Sequence, residues 1–254
     1  MKVTVLGCGT SSGVPRIGGD WGACDPQDPR NRRTRASVLV QSDTATVLVD
    51  TGPDMREQLL KSGVSNIDAV VWTHEHADHI HGIDDLRQIF HLKGQPVPGY
   101  ARDRCFESLE RRFHYVFHGR GGYPPISTIA LLDDEITVGD LTIRTVDMPH
   151  GGITTAGLRF EHGGKSFGYS TDFHEFTTEM EELFAGMDVW VVDALRRTPH
   201  QTHAHLATTL DAIGRLKPVR AILTHMDQSM DYAELARELP AGVEPGYDGL
   251  EVFV

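Results

Sequence analysis

The chain has 254 residues, 39% of them hydrophobic, and a formal net charge of −12. This acidic balance argues against a general nucleic-acid or membrane binder, because the bulk charge would repel a polyanion. No apolar run has the length needed to span a bilayer, and the start MKVTVLGCG does not resemble a signal peptide. Three widely spaced cysteines argue against a disulfide framework, so we expect a cytoplasmic protein.

Short β-branched runs alternate with amphipathic stretches along the chain, as in a mixed α/β fold. We predict strands at residues 2–6, 37–41, 46–50, 68–73, 135–138, 141–146, 156–162, 166–170, 188–193, 221–224 and 250–254. We predict helices at residues 54–62, 80–92, 104–113, 177–185, 205–216 and 232–239. Gly139 and Asp140 separate two alternating runs and predict a hairpin turn.

The two halves of the chain echo each other. In each half an apolar strand ending in an acidic residue precedes a helix and a second apolar strand, as in VLVDTGPD with DAVVWT and FGYSTDFH with DVWVVDA. Two such units predict two sheets packed face to face with helices outside. The chain shows no linker or low-complexity segment, so we expect a single domain over residues 1–254.

Residues 94–128 differ from this pattern, because five arginines stand there among phenylalanines and tyrosines. We interpret the segment as an insertion that forms a wall of a substrate site, or equally as a solvated helix whose aromatic side chains lie in the core. A second arginine-rich stretch, RNRRTR, has two interpretations of equal weight, a phosphate or RNA contact and a solvated loop.

Four candidate metal ligands lie within six positions directly after the apolar run 69–72: His74, His76, Asp78 and His79. Imidazole and carboxylate are ligands that divalent transition metals prefer. Residues two apart in a strand-end loop can point the same way, so we predict that His74 and His76 share one metal ion. Asp78 and His79, turned by the start of the next helix, are predicted to face a second ion.

A polar residue at the end of an apolar strand recurs at His150, Asp172 and His225. With the first cluster this makes seven ligands, enough for two metal ions if Asp172 bridges them. The two predicted ligand sets are His74, His76, His150 and Asp172, and Asp78, His79, His225 and Asp172. A bridging position then stays open for water, as a catalytic site requires.

These motifs occur in the order Asp50 in VLVDTG, the histidine cluster, His150, Asp172 and His225, and with them the chain resembles the metallo-β-lactamase superfamily of hydrolases over essentially its whole length. The resemblance implies an α/β fold, the αββα four-layer sandwich. It also implies that Asp50 hydrogen-bonds the metal-binding loop. The same position would equally suit a cap for the helix that begins near Pro53.

A finer resemblance is carried by GCGTSSGVPRIGG, DPRNRRTRAS and HQTHAHLATTLDAIGRLKP. These segments are similar to the cyclic phosphodiesterase of the carbon–phosphorus lyase pathway and, more distantly, to the transfer-RNA 3′-processing endonucleases. Those phosphodiesterases hold a structural zinc ion with several cysteines after the first glycine loop, where this chain has only Cys24. We therefore expect no structural zinc here and a loop held by packing of Trp21.

The resemblance implies a dinuclear metal-dependent phosphodiesterase that cleaves a small ribose- or nucleotide-type phosphodiester by attack of a metal-bound hydroxide. Two divalent ions are implied, Zn²⁺ or Mn²⁺, and Asp78 would both bind metal and orient the hydroxide. Two rivals stay open: a superfamily hydrolase of a thioester or lactone, and a non-catalytic metal-binding carrier or sensor of the same fold.

Expulsion of an alkoxide requires a proton, which an imidazole can supply near neutral pH. His200, His203 and His205 are candidates for this general acid. His205 stands at a predicted helix start and His200 in a loop, so we favour His203, with contact to metal or phosphate as its alternative role. We expect a small nucleotide-like substrate, no membrane and no bulk nucleic-acid binding, and we leave a homodimer open.

Overall fold

A computed structural model describes all residues, 1–254, and contains two seven-stranded sheets. The first sheet consists of β1 (Lys2–Gly7), β2 (Ser37–Gln41), β3 (Thr46–Val49), β4 (Ala69–Trp72), β5 (Gly99–Ala101), β6 (Ala130–Leu131) and β14 (Leu250–Phe253). The second consists of β7 (Glu135–Val138), β8 (Leu141–His150), β9 (Ile153–His162), β10 (Lys165–Ser170), β11 (Val189–Asp193), β12 (Arg220–Thr224) and β13 (Val243–Pro245). The α-helices are α1 (Met55–Ser62), α2 (Ala77–Ile80), α3 (Leu86–Lys93), α4 (Asp103–Arg112), α5 (His114–His118), α6 (Thr178–Phe184), α7 (Leu206–Leu216) and α8 (Tyr232–Glu238).

The two sheets share one topology. In the first, the order is β14-β1-β2-β3-β4-β5-β6, antiparallel as far as β3 and parallel beyond it. In the second, the order is β7-β8-β9-β10-β11-β12-β13, antiparallel as far as β10 and parallel beyond it. The echo between the halves of the sequence is thus present in the fold.

Alternate residues of the central strands divide between two hydrophobic cores. Val47 and Val49 of β3 join a core of 39 buried residues that also contains Leu158 and Val191 of the second sheet. Leu48 points the other way, into a core of 19 buried residues shared with α1, α3 and α4. Sheets packed on each other and covered by helices form the expected αββα sandwich, so the predicted fold is confirmed.

The predicted helix over 80–92 is wrong in its first part. The chain forms α2, then a 3-10 turn at Ile83–Asp85, and only then α3. The interruption comes at Gly82, whose backbone N–H donates to Thr51 O at 2.8 Å. A Cβ atom at Gly82 would lie 2.0 Å from the Gly52 carbonyl oxygen. The helix therefore breaks where its backbone must contact the loop after β3.

Sequence patterns missed the short elements β5, β6, β13 and α5, because two to five residues carry too little periodicity to recognise. The sequence patterns also placed the end of the strand 141–146 too early. Strand β8 continues to His150 and pairs with β9 across a Gly151–Gly152 turn. The hairpin at Gly139 and Asp140 is confirmed by pairing of Val138 with Leu141. None of the helices has the length and apolar character required to cross a bilayer.

Residues 94–128 contribute β5, α4 and α5. Phe117 packs into the smaller core, where it meets Trp72 edge to face with ring centroids 6.1 Å apart, whereas Tyr123 is exposed. The arginines of the segment stay exposed at Arg104 and Arg112. Phe117 therefore lies in the core as one interpretation expects, whereas the wall of a substrate site stays a prediction.

Candidate metal centre

The predicted ligands lie together where the strands of both sheets end. His74, His76, Asp78 and His79 occupy the loop and helix start after β4. His150 is the last residue of β8, Asp172 follows β10, and His225 follows β12. Because β10 and β12 are parallel with β11 between them, their carboxyl ends lie at one edge of the sheet. All seven residues face this edge.

Three site residues have the left-handed backbone conformation that side chains other than glycine rarely adopt. The φ angles are 65° at Asp50, 59° at Asp172 and 56° at His225. Each such residue costs about 1–3 kcal/mol and persists only where the surroundings enforce it. At Asp172 the enforcing contacts include its N–H, which donates to Asp193 Oδ2 at 3.1 Å, and its carbonyl, which accepts from Thr155 Oγ1 at 2.9 Å.

Asp50 ties the metal-binding loop to the first sheet. Its carboxylate accepts from Thr73 N at 2.7 Å, from Thr73 Oγ1 at 2.8 Å and from His79 Nδ1 at 2.7 Å. The side chain is fully buried and makes no capping hydrogen bond to α1. The geometry matches the first of the two predicted roles of Asp50, a hydrogen bond to the loop, and not that of a helix cap.

Hydrogen bonds at Nδ1 orient several imidazoles. His79 Nδ1 faces the Asp50 carboxylate, and His150 Nδ1 lies 2.7 Å from Thr202 O. A carbonyl oxygen can only accept, so His150 carries its proton on Nδ1 and presents an unprotonated Nε2 to the site. Such partners on the far side of the ring fix the tautomer that binds a metal ion.

The donor atoms are spaced as a metal ion requires. His74 Nε2 and His150 Nε2 each lie 3.7 Å from Asp172 Oδ2. On the other side, His79 Nε2 lies 3.5 Å and His225 Nε2 3.4 Å from Asp172 Oδ1. Metal–ligand bonds of about 2.0–2.2 Å place tetrahedral ligands roughly 3.3–3.6 Å apart. These spacings lie close to that range, so the residues on either side of Asp172 suit binding of a divalent ion.

Asp78 and His76 complete the two groups. Asp78 Oδ2 lies 3.3 Å from His79 Nε2 and 3.5 Å from His225 Nε2. His76 Nδ1 lies 3.3 Å from His150 Nε2. Four buried ring nitrogens have no hydrogen-bond partner in the protein, and three of them converge on the site: Nε2 of His74, His79 and His225. Buried polar atoms normally find partners, so these converging nitrogens support a bound cation.

The charges of the site favour the same conclusion. Burial alone would raise the pKa of Asp172, but the imidazoles of His225, His79 and His74 hold that pKa well below its usual value. Burial would lower the pKa of His225, yet the Asp172 and Asp78 carboxylates raise it to about 9. The carboxylates also raise the pKa of His79, so without metal His79 and His225 hold protons that balance these carboxylates, and metal binding would displace them.

His203 lies beside the seven ligands. Its Nδ1 is 3.1 Å from Asp193 Oδ2, and its Nε2 is 3.9 Å from Asp172 Oδ2. The ring stacks on His225 with centroids 4.8 Å apart. His200 accepts from Thr202 N at 3.2 Å, with its ring centroid 5.2 Å from that of His203.

Sequence reasoning missed Asp193, which holds both His203 and the backbone of Asp172. A usable signal was present, because Asp193 ends the buried strand β11 in the same way that Asp50 and Asp172 follow theirs. His205 directly precedes α7 and its Nδ1 lies 2.9 Å from Thr208 Oγ1. This position agrees with a helix-start role for His205.

Two cavities adjoin the centre. One of about 490 Å³ opens on the candidate ligands and is also lined by Ser11, Thr202 and His203. The other, of about 450 Å³, shares His150 with it and is lined by Arg104 among others. The second cavity thus forms a groove from His150 toward α4, to which Arg104 belongs.

The loop before β2 is anchored differently from the prediction. Trp21 is only half-buried, with the guanidinium of Arg32 5.2 Å from its ring, so the expectation that its packing holds the loop is wrong. The buried Arg33 donates to Met230 O at 2.5 Å, and the buried Asn31 donates to Asp231 Oδ2 at 2.7 Å. Polar side chains, which hydrophobic patterns do not reveal, fix the loop to the segment before α8.

Comparison with known proteins places this site in a family. The sequence profile of the Beta-lactamase superfamily domain matches residues 45–226. A solved structure described as a new diphosphatase from the PhnP family is 38% identical, covers 99% of this chain and 97% of its own, and has a TM-score of 0.90. A Porphyromonas gingivalis protein named octanoyltransferase is 33% identical over 264 residues, which cover 100% of this chain and 52% of that protein. Ribonuclease Z of Methanopyrus kandleri is 28% identical over 152 residues, 58% of this chain and 50% of that protein.

The chain spans about half the length of these two curated relatives. The profile match includes Asp50, the histidine cluster, His150, Asp172 and His225. The predicted resemblance to a superfamily of metal-dependent hydrolases is therefore confirmed, including its likeness to a ribonuclease Z. With a profile match over most of its length and a 33% identical relative along all of it, this chain belongs to the beta-lactamase superfamily.

Proposed function

We propose that this chain is a dinuclear metal-dependent phosphodiesterase acting on a small ribose- or nucleotide-type phosphodiester. One observation carries the proposal: Asp172 presents Oδ1 to His79 and His225, and Oδ2 to His74 and His150. With two sets of imidazoles on its two sides, this carboxylate would help to hold two divalent ions. Paired ions of this kind serve phosphoryl chemistry in many enzymes.

Divalent ions held at this centre supply positive charge for a phosphate group and lower the pKa of a water molecule. The chain would hold them with an imidazole-rich set that suits Zn²⁺, while the carboxylate oxygens also admit Mn²⁺. Asp78 lines the cavity beside the ligands, where its carboxylate would orient the attacking water. Asp78 and Asp172 place two negative charges at the site, so an anionic diester requires cations to bind there.

His203 is proposed as the general acid. Asp193 accepts from its Nδ1, which leaves Nε2 directed toward Asp172 and the cavity. The imidazolium form would carry on Nε2 the proton that a departing alkoxide needs. The stacked ring of His225 holds the plane of this imidazole.

The proposed substrate class rests on chemistry that two relatives share. The names diphosphatase and ribonuclease Z both describe cleavage of a phosphorus–oxygen bond. The protein named octanoyltransferase is about twice as long as this chain, and we do not carry its activity over. We further propose that residues 94–128 face the substrate through Arg104, which lines the groove next to His150.

We also propose a cytoplasmic location for the protein. Cys8, Cys24 and Cys105 are buried and unpaired, which agrees with a reducing cytoplasm. A single domain over residues 1–254 and a homodimer both stay predictions, and size measurement by light scattering would test the second.

The reaction class can be tested with a chromogenic diester. Protein loaded with Zn²⁺ or Mn²⁺ should hydrolyse bis(p-nitrophenyl) phosphate, and a chelator should abolish that hydrolysis. His91→Ala, at an exposed histidine outside the site, is the matched control and should retain full activity. Thioester or lactone hydrolysis without any diesterase activity in the loaded protein would replace this proposal with the rival hydrolase.

A further inference from the structure

A polar cavity lies between the metal-binding loop and one face of α4. Its volume is about 350 Å³, and none of its lining residues is hydrophobic. The lining residues are Glu75, Arg104, Glu107, Ser108, Arg111 and Arg112. The five from α4 are spaced by three or four residues, which places them on the same side of the helix.

Glu75, which stands between His74 and His76, is held by this face of α4. Arg104 Nε donates to Glu75 Oε1 at 2.6 Å, and Arg112 Nη1 donates to the Glu75 carbonyl oxygen at 2.8 Å. Two arginines therefore secure both the side chain and the backbone of this residue. The cavity is thus continuous with the loop that carries the candidate metal ligands.

Several polar groups around the cavity have no partner. Glu75 and Ser108 are 8% and 6% exposed, yet Glu75 Oε2 and Ser108 Oγ make no hydrogen bond. Buried polar atoms of this kind are rare and call for a ligand or another explanation. Arg111 is exposed and makes no side-chain hydrogen bond or ion pair, so its guanidinium is free to bind.

The charges identify the class of ligand. Three guanidinium groups outnumber the carboxylates of Glu75 and Glu107, so the cavity attracts an anion despite the acidic protein around it. The Glu75 carboxylate, however, can only accept, so it requires a donor from the ligand. An anion that carries a hydroxyl group satisfies both demands.

We propose that this cavity is a second anion site, which binds hydrogen phosphate or a phosphate monoester in its protonated form. The phosphoryl oxygens accept from the arginines and from Ser108 Oγ, and the P–OH group donates to Glu75 Oε2. Both buried atoms belong to residues that line the cavity with these arginines. Sulfate carries no proton at neutral pH, so the Glu75 carboxylate repels it.

This cavity shares no lining residue with the cavity that opens on the metal centre, although Arg104 also lines the groove beside His150. It differs from a general arginine patch in one testable way, the preference for phosphate over sulfate. Glu75→Gln should reduce that preference, because the amide N–H groups of glutamine can donate to sulfate, while Arg104 keeps an oxygen acceptor.

Calorimetric titration of the metal-loaded protein with inorganic phosphate tests the proposal. Arg111→Met should remove one phosphate site, or weaken it about tenfold to a hundredfold, and leave any binding at the metal centre. Arg87→Met, at an exposed arginine outside this cavity, is the matched control and should bind phosphate as the wild type does. Sulfate should bind this site at least about tenfold more weakly than phosphate, and Glu75→Gln should narrow that difference.

Two results would overturn the proposal. One is the same phosphate binding in Arg111→Met as in Arg87→Met and wild type. The other is a site that Arg111→Met removes but that binds sulfate as tightly as phosphate, which would make it a general arginine patch. Circular dichroism of each variant ensures that a loss of binding reflects the site and not unfolding.

Discussion

The metal centre and the cluster around Arg33 are both buried and polar, but they differ in how their atoms are paired. Around Arg33 the chain supplies the partners itself. Asn31 Oδ1 accepts from Tyr232 N at 2.8 Å, and Asp231 accepts from Asp25 N at 3.0 Å and from Asn31 Nδ2 at 2.7 Å. Of the Arg33 guanidinium, only Nε lacks a partner.

At the metal centre the hydrogen bonding is incomplete. Asp50 and Thr202 satisfy the outer nitrogens of His79 and His150, but the inner nitrogens of His74, His79 and His225 converge on Asp172 without hydrogen-bond partners. The comparison shows that buried polar side chains serve two different roles in this protein. A closed network fixes the position of a loop, whereas converging ring nitrogens without hydrogen-bond partners support a bound cation.

The largest expected effect comes from opening the metal centre. His74→Ala removes a fully buried ligand whose Nε2 lies 3.7 Å from Asp172 Oδ2. We expect the variant to lose one metal ion and nearly all diesterase activity, measured by elemental analysis and a diester assay. Full metal content with full activity would show that His74 is a core histidine and not a ligand.

His203→Ala should have the next largest effect. General acid catalysis contributes about 10²–10⁴-fold, so turnover should fall by about that factor for a diester with an alkyl or ribose leaving group. A p-nitrophenolate departs without a proton, so the fall in turnover should be far smaller for a p-nitrophenyl diester. Metal content should not change. Equal losses on both substrates would mean that His203 binds phosphate and protonates nothing.

In the closed network, the corresponding change is expected to affect stability alone. Asp231→Ala removes the acceptor for Asn31 Nδ2 and Asp25 N, and the cap that Asp231 provides to Glu234 N in α8. We expect a loss of about 2–3 kcal/mol in the free energy of unfolding, measured in urea. Asp133→Ala, at an exposed position, is the control. Loss of metal from Asp231→Ala would contradict the separation of the two clusters.

The smallest effect concerns pH and Asp248, which accepts from Cys8 N at 3.1 Å and from Thr34 N at 2.7 Å. Burial raises the pKa of Asp248 to about 6, although these hydrogen bonds oppose the rise. An unfolded aspartate has a pKa of about 3.9, so the folded state binds the proton more tightly. The stability that this group contributes is present below about pH 4 and is lost as pH rises through about 6. In Asp248→Asn the free energy of unfolding should no longer fall between about pH 4 and 6. The same pH profile of unfolding in the variant and the wild type would contradict this prediction.

Sequence reasoning reached the sandwich and the seven candidate ligands because both leave periodic or clustered signals. The ligands follow buried strands such as β4 and β12, whose apolar runs mark where a polar residue is out of place. The rest depends on contacts distant in sequence. Gly82 breaks its helix because of Thr51, and Asp193 supports His203, and neither contact has a local pattern.

The Arg33 cluster illustrates the same limit. The sequence has only Cys24 where the related phosphodiesterases hold a structural zinc ion with several cysteines. From this we predicted that packing of Trp21 holds the loop instead. The actual anchor joins Asn31 to Asp231, which are 200 residues apart. Hydrophobic patterns do not show which polar side chains will pair across such a distance.

Stepwise metal titration of the metal-free protein tests the dinuclear phosphodiesterase most directly. Zn²⁺ or Mn²⁺ would be added in fractions of an equivalent, with bound metal and hydrolysis of bis(p-nitrophenyl) phosphate measured at each step. The shared carboxylate of Asp172 predicts two ions bound per chain, with full activity reached only as the second binds. Full activity at one ion per chain, or two bound ions with no diester hydrolysis, would contradict the account.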